Sequence, residues 1–270
     1  MTSLQASQPI VLPVLAWLCV ALAGVAAPAA AIVVLKNSAT LTSLDPVGGP
    51  IFAVGLMGTG MIAAAAALRL WVGIILALLA GVGLIIFVRA LGLPPLAHPL
   101  SLAMAGVIAA TSFAVRGALF ARSAAGKGWC IAVAVVAGEA AVVLTALVSP
   151  GAWPDWLLAL LPAQWASIAI QAALTGTGTL GASSALIALG GTAAATLLVV
   201  RLWPRRWPYL AMFAVWLSLS ALVYQQTIQP IPNADLAEFS NSLKSSFTPS
   251  LRHNKPAQAA SALGKQTAYR

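Results

Sequence analysis

Apolar positions in this chain are not periodic. They form long blocks, Ile10–Leu35, Pro50–Leu68, Val72–Val88, Pro99–Val115, Trp129–Val148, Trp156–Leu174, Ser183–Val200 and Trp207–Gln226, divided by short polar breaks. A stretch of about 18 or more apolar residues without charge is long enough to cross a bilayer as a helix. The pattern therefore predicts an all-α, polytopic helical membrane protein, a bundle of seven or eight transmembrane helices over residues 10–227. Residues 1–9 form a short N-terminal segment. From 228 to 270 the chain becomes polar and basic without sustained periodicity, and a disordered tail is expected there.

The breaks carry turn chemistry. Asp45-Pro46 and Gly48-Gly49 separate the first two blocks, and Leu93-Pro94-Pro95 and His98-Pro99 separate the third and fourth. Arg116–Gly128 reads as a short basic loop, and Ser149-Pro150-Gly151 closes the fifth block. Trp203 and Trp207 flank the last break, as interfacial aromatic residues do. Residues 51–88 are interrupted only by Arg69. As one helix they would extend about 57 Å, nearly twice the hydrocarbon thickness, so a hairpin at Arg69 is required. Residues 156–200 pose the same problem, with Thr175-Gly176-Thr177-Gly178-Thr179 as the natural break and Pro162 as an expected kink.

Length favours eight spans. Charge favours seven: if 156–200 crossed only once, Arg201, Arg205 and Arg206 would join Arg69, Arg116, Arg122 and Lys127 on one side, a clear positive-inside bias. The first 35 residues hold no Lys or Arg, so the first block is expected to be a retained helix rather than a secretory signal.

Composition sharpens the picture. Hydrophobic residues make up 61% and charged residues 7% of the chain, and the net charge is +9. No basic patch is interleaved with aromatics, so the charge points to membrane orientation and anionic lipid rather than to nucleic acid. Cys19 and Cys130 lie in apolar blocks and act as small hydrophobes. High Ala content and the lack of a targeting segment fit a bacterial inner (plasma) membrane.

Of five acids, only Glu139 falls inside an apolar block. An ionisable side chain there is costly and points to function. Ala134 and Gly138, four apart, place it at an expected close helix crossing. The alternative role is a hydrogen bond to a neighbouring helix. In the sixth block Gln164, Ser167, Gln171 and Thr175 recur every three or four residues, a polar stripe on one helix face. The stripe is expected to face the bundle interior, lining a pathway or bonding to a nearby helix. Arg116 lies at a predicted span end and is not expected to pair with Glu139. Gly55, Gly58 and Gly60 are expected to serve close packing, and Thr111 and Ser112 to bond back to their own helix.

No cluster of His, Cys, Asp or Glu has the spacing to hold a metal, and no pair of membrane His could hold a haem. No cofactor and no catalytic residue is therefore assigned, and catalysis is disfavoured. An active site made of the loop residues Asp45, His98 and Asp155 is the weakest reading. Two functions stand. One is a transporter or permease component whose substrate or ion pathway runs past Glu139, Gln164, Ser167 and Gln171. The other is a non-catalytic membrane subunit or assembly factor that meets other membrane subunits through Ala/Gly-rich helix faces.

Overall fold

The computed structural model describes residues 11–37, 47–92, 98–124, 126–149, 151–176, 182–203 and 207–228. The N-terminal segment, Asp45, Arg205, Arg206 and the basic tail lie outside the described residues. Every regular element among the described residues is helical. α1 (Val11–Ala21) continues through a π-helical turn (Leu22–Ala26) into α2 (Ala27–Asn37). Then follow α3 (Gly48–Ala67), α4 (Leu70–Ala90), α5 (Pro99–Ser123), α6 (Gly128–Val148), α7 (Asp155–Leu158), α8 (Pro162–Thr175), α9 (Ser183–Arg201) and α10 (Trp207–Ile228). The described residues up to Gln226 form one compact unit.

α3 is the axis, and its most apolar stretch is 89% buried. Its small residues let neighbours come close. A methyl group on Gly58 would lie 2.7 Å from the carbonyl oxygen of Ala23, and one on Gly55 would lie 2.9 Å from a Leu84 methyl. The π turn sits against this groove, with Gly24 facing Thr59. α4 and α5 flank α3, and the required hairpin is present: α3 ends at Ala67 and α4 begins at Leu70. Leu68 between them takes the left-handed backbone (φ 57°) that closes the helix. Thr111 donates to the Val107 carbonyl as expected, whereas the Ser112 hydroxyl is buried with no partner.

Among the described residues, seven helices are long and apolar enough to cross a membrane: Val14–Asn37, Gly48–Ala67, Leu70–Ala90, Pro99–Ser123, Gly128–Val148, Ser183–Arg201 and Trp207–Gln225. Their outer faces carry exposed apolar side chains, among them Leu100 (86%), Val148 (81%) and Leu210 (75%). Apolar side chains exposed along these faces are consistent with an integral membrane protein.

The sixth block does not make a spanning helix. It breaks into the four residues of α7 and the 14 of α8. At 1.5 Å per residue α8 is about 21 Å long, short of the hydrocarbon thickness. Pro162 is the cause. It stands at the first helical position, where its missing N–H costs nothing, and starts α8 rather than kinking a longer helix. Gly176 ends α8 in the left-handed conformation (φ 85°), at the break the Thr-Gly repeat marks.

Candidate functional site

α8 begins in the middle of the bundle, and Glu139 holds it there. Glu139 lies near the midpoint of α6, and its Oε2 accepts the Ala163 backbone N–H at 3.1 Å. Ala163 is in the first turn of α8, where amides have no partner in their own helix, and Leu161 at the cap supplies none. A carboxylate at this positive helix end gains a charge-assisted hydrogen bond and dipole stabilisation.

A second clamp follows. Near the other end of α8, Gln171 Oε1 accepts the Gly49 backbone N–H at 2.8 Å. Gly49 lies in the first turn of α3, which likewise has no side-chain cap of its own. The helices are thus chained, α6 to α8 and α8 to α3. Gly49 fits so closely on α8 that a methyl group there would stand 2.5 Å from the Ser167 carbonyl oxygen. Trp165, fully buried, donates from Nε1 to the Ala159 carbonyl at 2.8 Å and fixes the turn leading into α8.

These contacts set the direction of α8. Its start is at the centre of α6, while its later residues lie beside Val143, Ala146 and Leu147 and beside the start of α3. The chain leaves α6, folds back to mid-bundle and returns to the same end. Lys36, whose Nζ donates to the Leu91 carbonyl at 2.5 Å, marks that end. At the opposite end, marked by Lys127, Arg122 donates to the Val200 carbonyl and joins α5 to α9.

Two cavities flank the start of α8. The first, about 460 Å³, lies in the Lys36 half and is lined by Gln164, Ser167, Gln171 and Thr175, together with Pro50 and the α6 residues Val143 and Leu147. The polar stripe therefore borders open space. The second, about 290 Å³, lies in the Lys127 half between α5, α6, α9 and α10. Its polar lining is Arg116, Glu139, Thr192 and Thr196; Phe120, Phe213 and Trp216 supply an aromatic wall. Glu139 and the stripe are consequently in different cavities, separated by Leu160, Leu161 and the first turn of α8.

Arg116 is the residue that sequence reasoning missed. α5 runs on to Ser123, so Arg116 is inside the helix, facing the Glu139 cavity, and its charge acts on Glu139 without a hydrogen bond between them. The signal was present in Gly117–Ala121, an apolar run resuming directly after the charge. Thr192 and Thr196 donate back to the Ala188 and Thr192 carbonyls at 2.8 and 2.7 Å, so their oxygens remain acceptors toward the cavity.

Ala134 and Gly138 do not form the expected crossing. Both are exposed, and a methyl group added at Gly138 would meet nothing. Glu139 is held by the end of α8 instead. His98 precedes α5 and Asp155 opens α7, both at the Lys36 end, and no group of three metal-ligating side chains occurs among the described residues.

No known protein family, curated protein or solved structure matches this chain.

Proposed function

We propose that the protein is a membrane transport component in which α8 is the barrier between two half-channels. The observation that carries this reading is the pair of cavities in opposite halves of the bundle, on either side of the start of a helix that begins mid-bundle on Glu139. Discontinuous helices whose ends lie near the bilayer centre are a recurring way to build a solute or ion site. Glu139 and Arg116 together present a negative and a positive group to one small cavity with an aromatic wall. That set suits a small zwitterionic or polar solute, or an ion that exchanges with the charge on Glu139. Gln164, Ser167 and Gln171 line the approach from the other half. A bacterial inner membrane is the setting we assign, on the Ala-rich composition.

Cysteine accessibility in sealed vesicles tests this. In a background with Cys19 and Cys130 replaced, Ser167→Cys should react with a small hydrophilic thiol reagent from one side only, and Phe213→Cys from the other only. Labelling of both from the same side, or of neither, would sink the half-channel reading.

A second reading has its own observation. Ala134, Ala137, Gly138 and Ala141 form an exposed small-residue stripe on α6, a surface on which a helix of another subunit can pack closely. On that reading the protein is a non-catalytic membrane subunit or assembly factor, and stoichiometric companions would remain with it in mild detergent.

A further inference from the structure

A third cavity belongs to neither half-channel. It measures about 480 Å³ and opens at the Lys127 end, between the α3–α4 turn and the ends of α5 and α9. Leu68, Leu70 and Trp71 form one wall, Val115, Ala118 and Ala121 a second, and Leu197 and Val200 a third; Arg122 and Arg201 stand at the rim. Trp71 and Leu68 are 72% and 67% exposed, so the apolar walls continue onto the outer surface.

Among the described residues the rim has no counter-charge. Among the described acids, Glu139 faces the mid-bundle cavity and Asp155 opens α7 at the other end of the bundle. Arg122 is held in place through its bond to the Val200 carbonyl, which still leaves N–H groups free, and Arg201 has no hydrogen-bond partner among the described residues. Arg69 is exposed on the neighbouring turn. Two guanidiniums at a helix-bundle end, above an apolar slot open to the outside, match the two parts of one molecule: a phosphate headgroup and an acyl chain.

We propose that this cavity is a binding site for an anionic phospholipid, its phosphate on Arg122 and Arg201 and its chain along Leu70, Trp71 and Leu197. The inference rests on the membrane reading but not on transport.

Native mass spectrometry of the full chain in mild detergent tests it, with dioleoylphosphatidylglycerol, dioleoylphosphatidylcholine and inorganic phosphate as separate probes. Phosphatidylglycerol should be retained in preference to phosphatidylcholine. Arg201→Gln should cut that retention about fivefold, while Arg89→Gln, at the opposite end, should not. Leu197→Trp fills the slot with both arginines kept and should also expel the lipid, which covers the case of an Arg201 variant that folds poorly. Equal retention of phosphatidylcholine would overturn the anionic site while leaving the membrane reading in place. Retention unmoved by Arg201→Gln and Leu197→Trp would overturn the location. Inorganic phosphate binding as tightly as phosphatidylglycerol would make this a free-anion site and overturn the lipid assignment.

Discussion

A carboxylate and a carboxamide can both accept one N–H, and this separates charge from geometry at position 139. Glu139→Gln keeps an acceptor for the Ala163 amide and removes the charge facing Arg116. Glu139→Leu removes both and leaves a buried amide unpaired, at a cost of about 1–3 kcal/mol. Detergent-solubilised unfolding followed by tryptophan fluorescence should therefore show Glu139→Gln close to wild type and Glu139→Leu clearly destabilised. If the two variants lose stability equally, the hydrogen bond is not what holds α8. If Glu139→Gln is stable yet loses a bound solute or ion, the charge belongs to function. Glu139 was legible in the sequence because one charge in a long apolar block cannot hide. Arg116 was not, because a span was ended at its first charge, although a helix continues wherever the following residues are still apolar and helix-compatible. The carboxylate's partner was also invisible, since an N–H at a helix start belongs to the backbone and leaves no mark in residue identity.

At the scale of elements, α8 is the piece that joins the others. It receives a cap from the Glu139 side chain of α6 and gives one to α3 through its own Gln171, so each of its ends is tied to a different helix. Gln171→Leu leaves the Gly49 amide without its partner and should cost about 1–3 kcal/mol. Gly49→Ala should cost more, because its methyl group meets the Ser167 carbonyl at 2.5 Å and backbone has to move. Gly83→Ala, where nothing lies within 4 Å, is the control and should be near neutral in the same melting assay. The long blocks and the Arg69 hairpin followed from length and charge alone. The stripe of Gln164, Ser167 and Gln171 followed from helical spacing, and it does border a cavity. What spacing could not give was the length of α8. A half-length buried helix and a spanning one have the same composition, and the useful sign was Pro162, which suits a helix start as well as a kink.

For the whole molecule, seven crossings with α8 re-entrant would make an odd count, and the two ends of the described bundle would then lie on opposite sides. Arg69, Arg122, Lys127 and Arg201 all fall at the Lys127 end, against Lys36 and Arg89 at the other. Positive charge beside spanning helices marks the cytoplasmic side. Reporters fused ahead of residue 11 and after residue 228 should accordingly report opposite compartments, the first of them cytoplasmic. Reporters in the same compartment would restore an eighth crossing and require α8 to span. On that orientation the two-arginine slot would face the cytoplasmic leaflet, where anionic headgroups are enriched.

The π turn at Leu22–Ala26 gives the first rod a different kind of sensitivity. It holds one more residue than an α-helical turn would, and Gly24 meets Thr59 where that extra residue widens the helix. Deleting a single residue there would restore regular winding. Four α-helical residues turn through nearly the same angle as five in the wider turn, so α1 would keep its phase relative to α2. A deletion in the regular helix between Val20 and the π turn would instead rotate everything before it by about 100°, and Ala16 and Val20, now buried, would swing away from the bundle while Pro28 and Ile32 stayed in place. The first rod thus behaves as two blades on one shaft, and its tolerance to insertion and deletion is set by phase rather than by length.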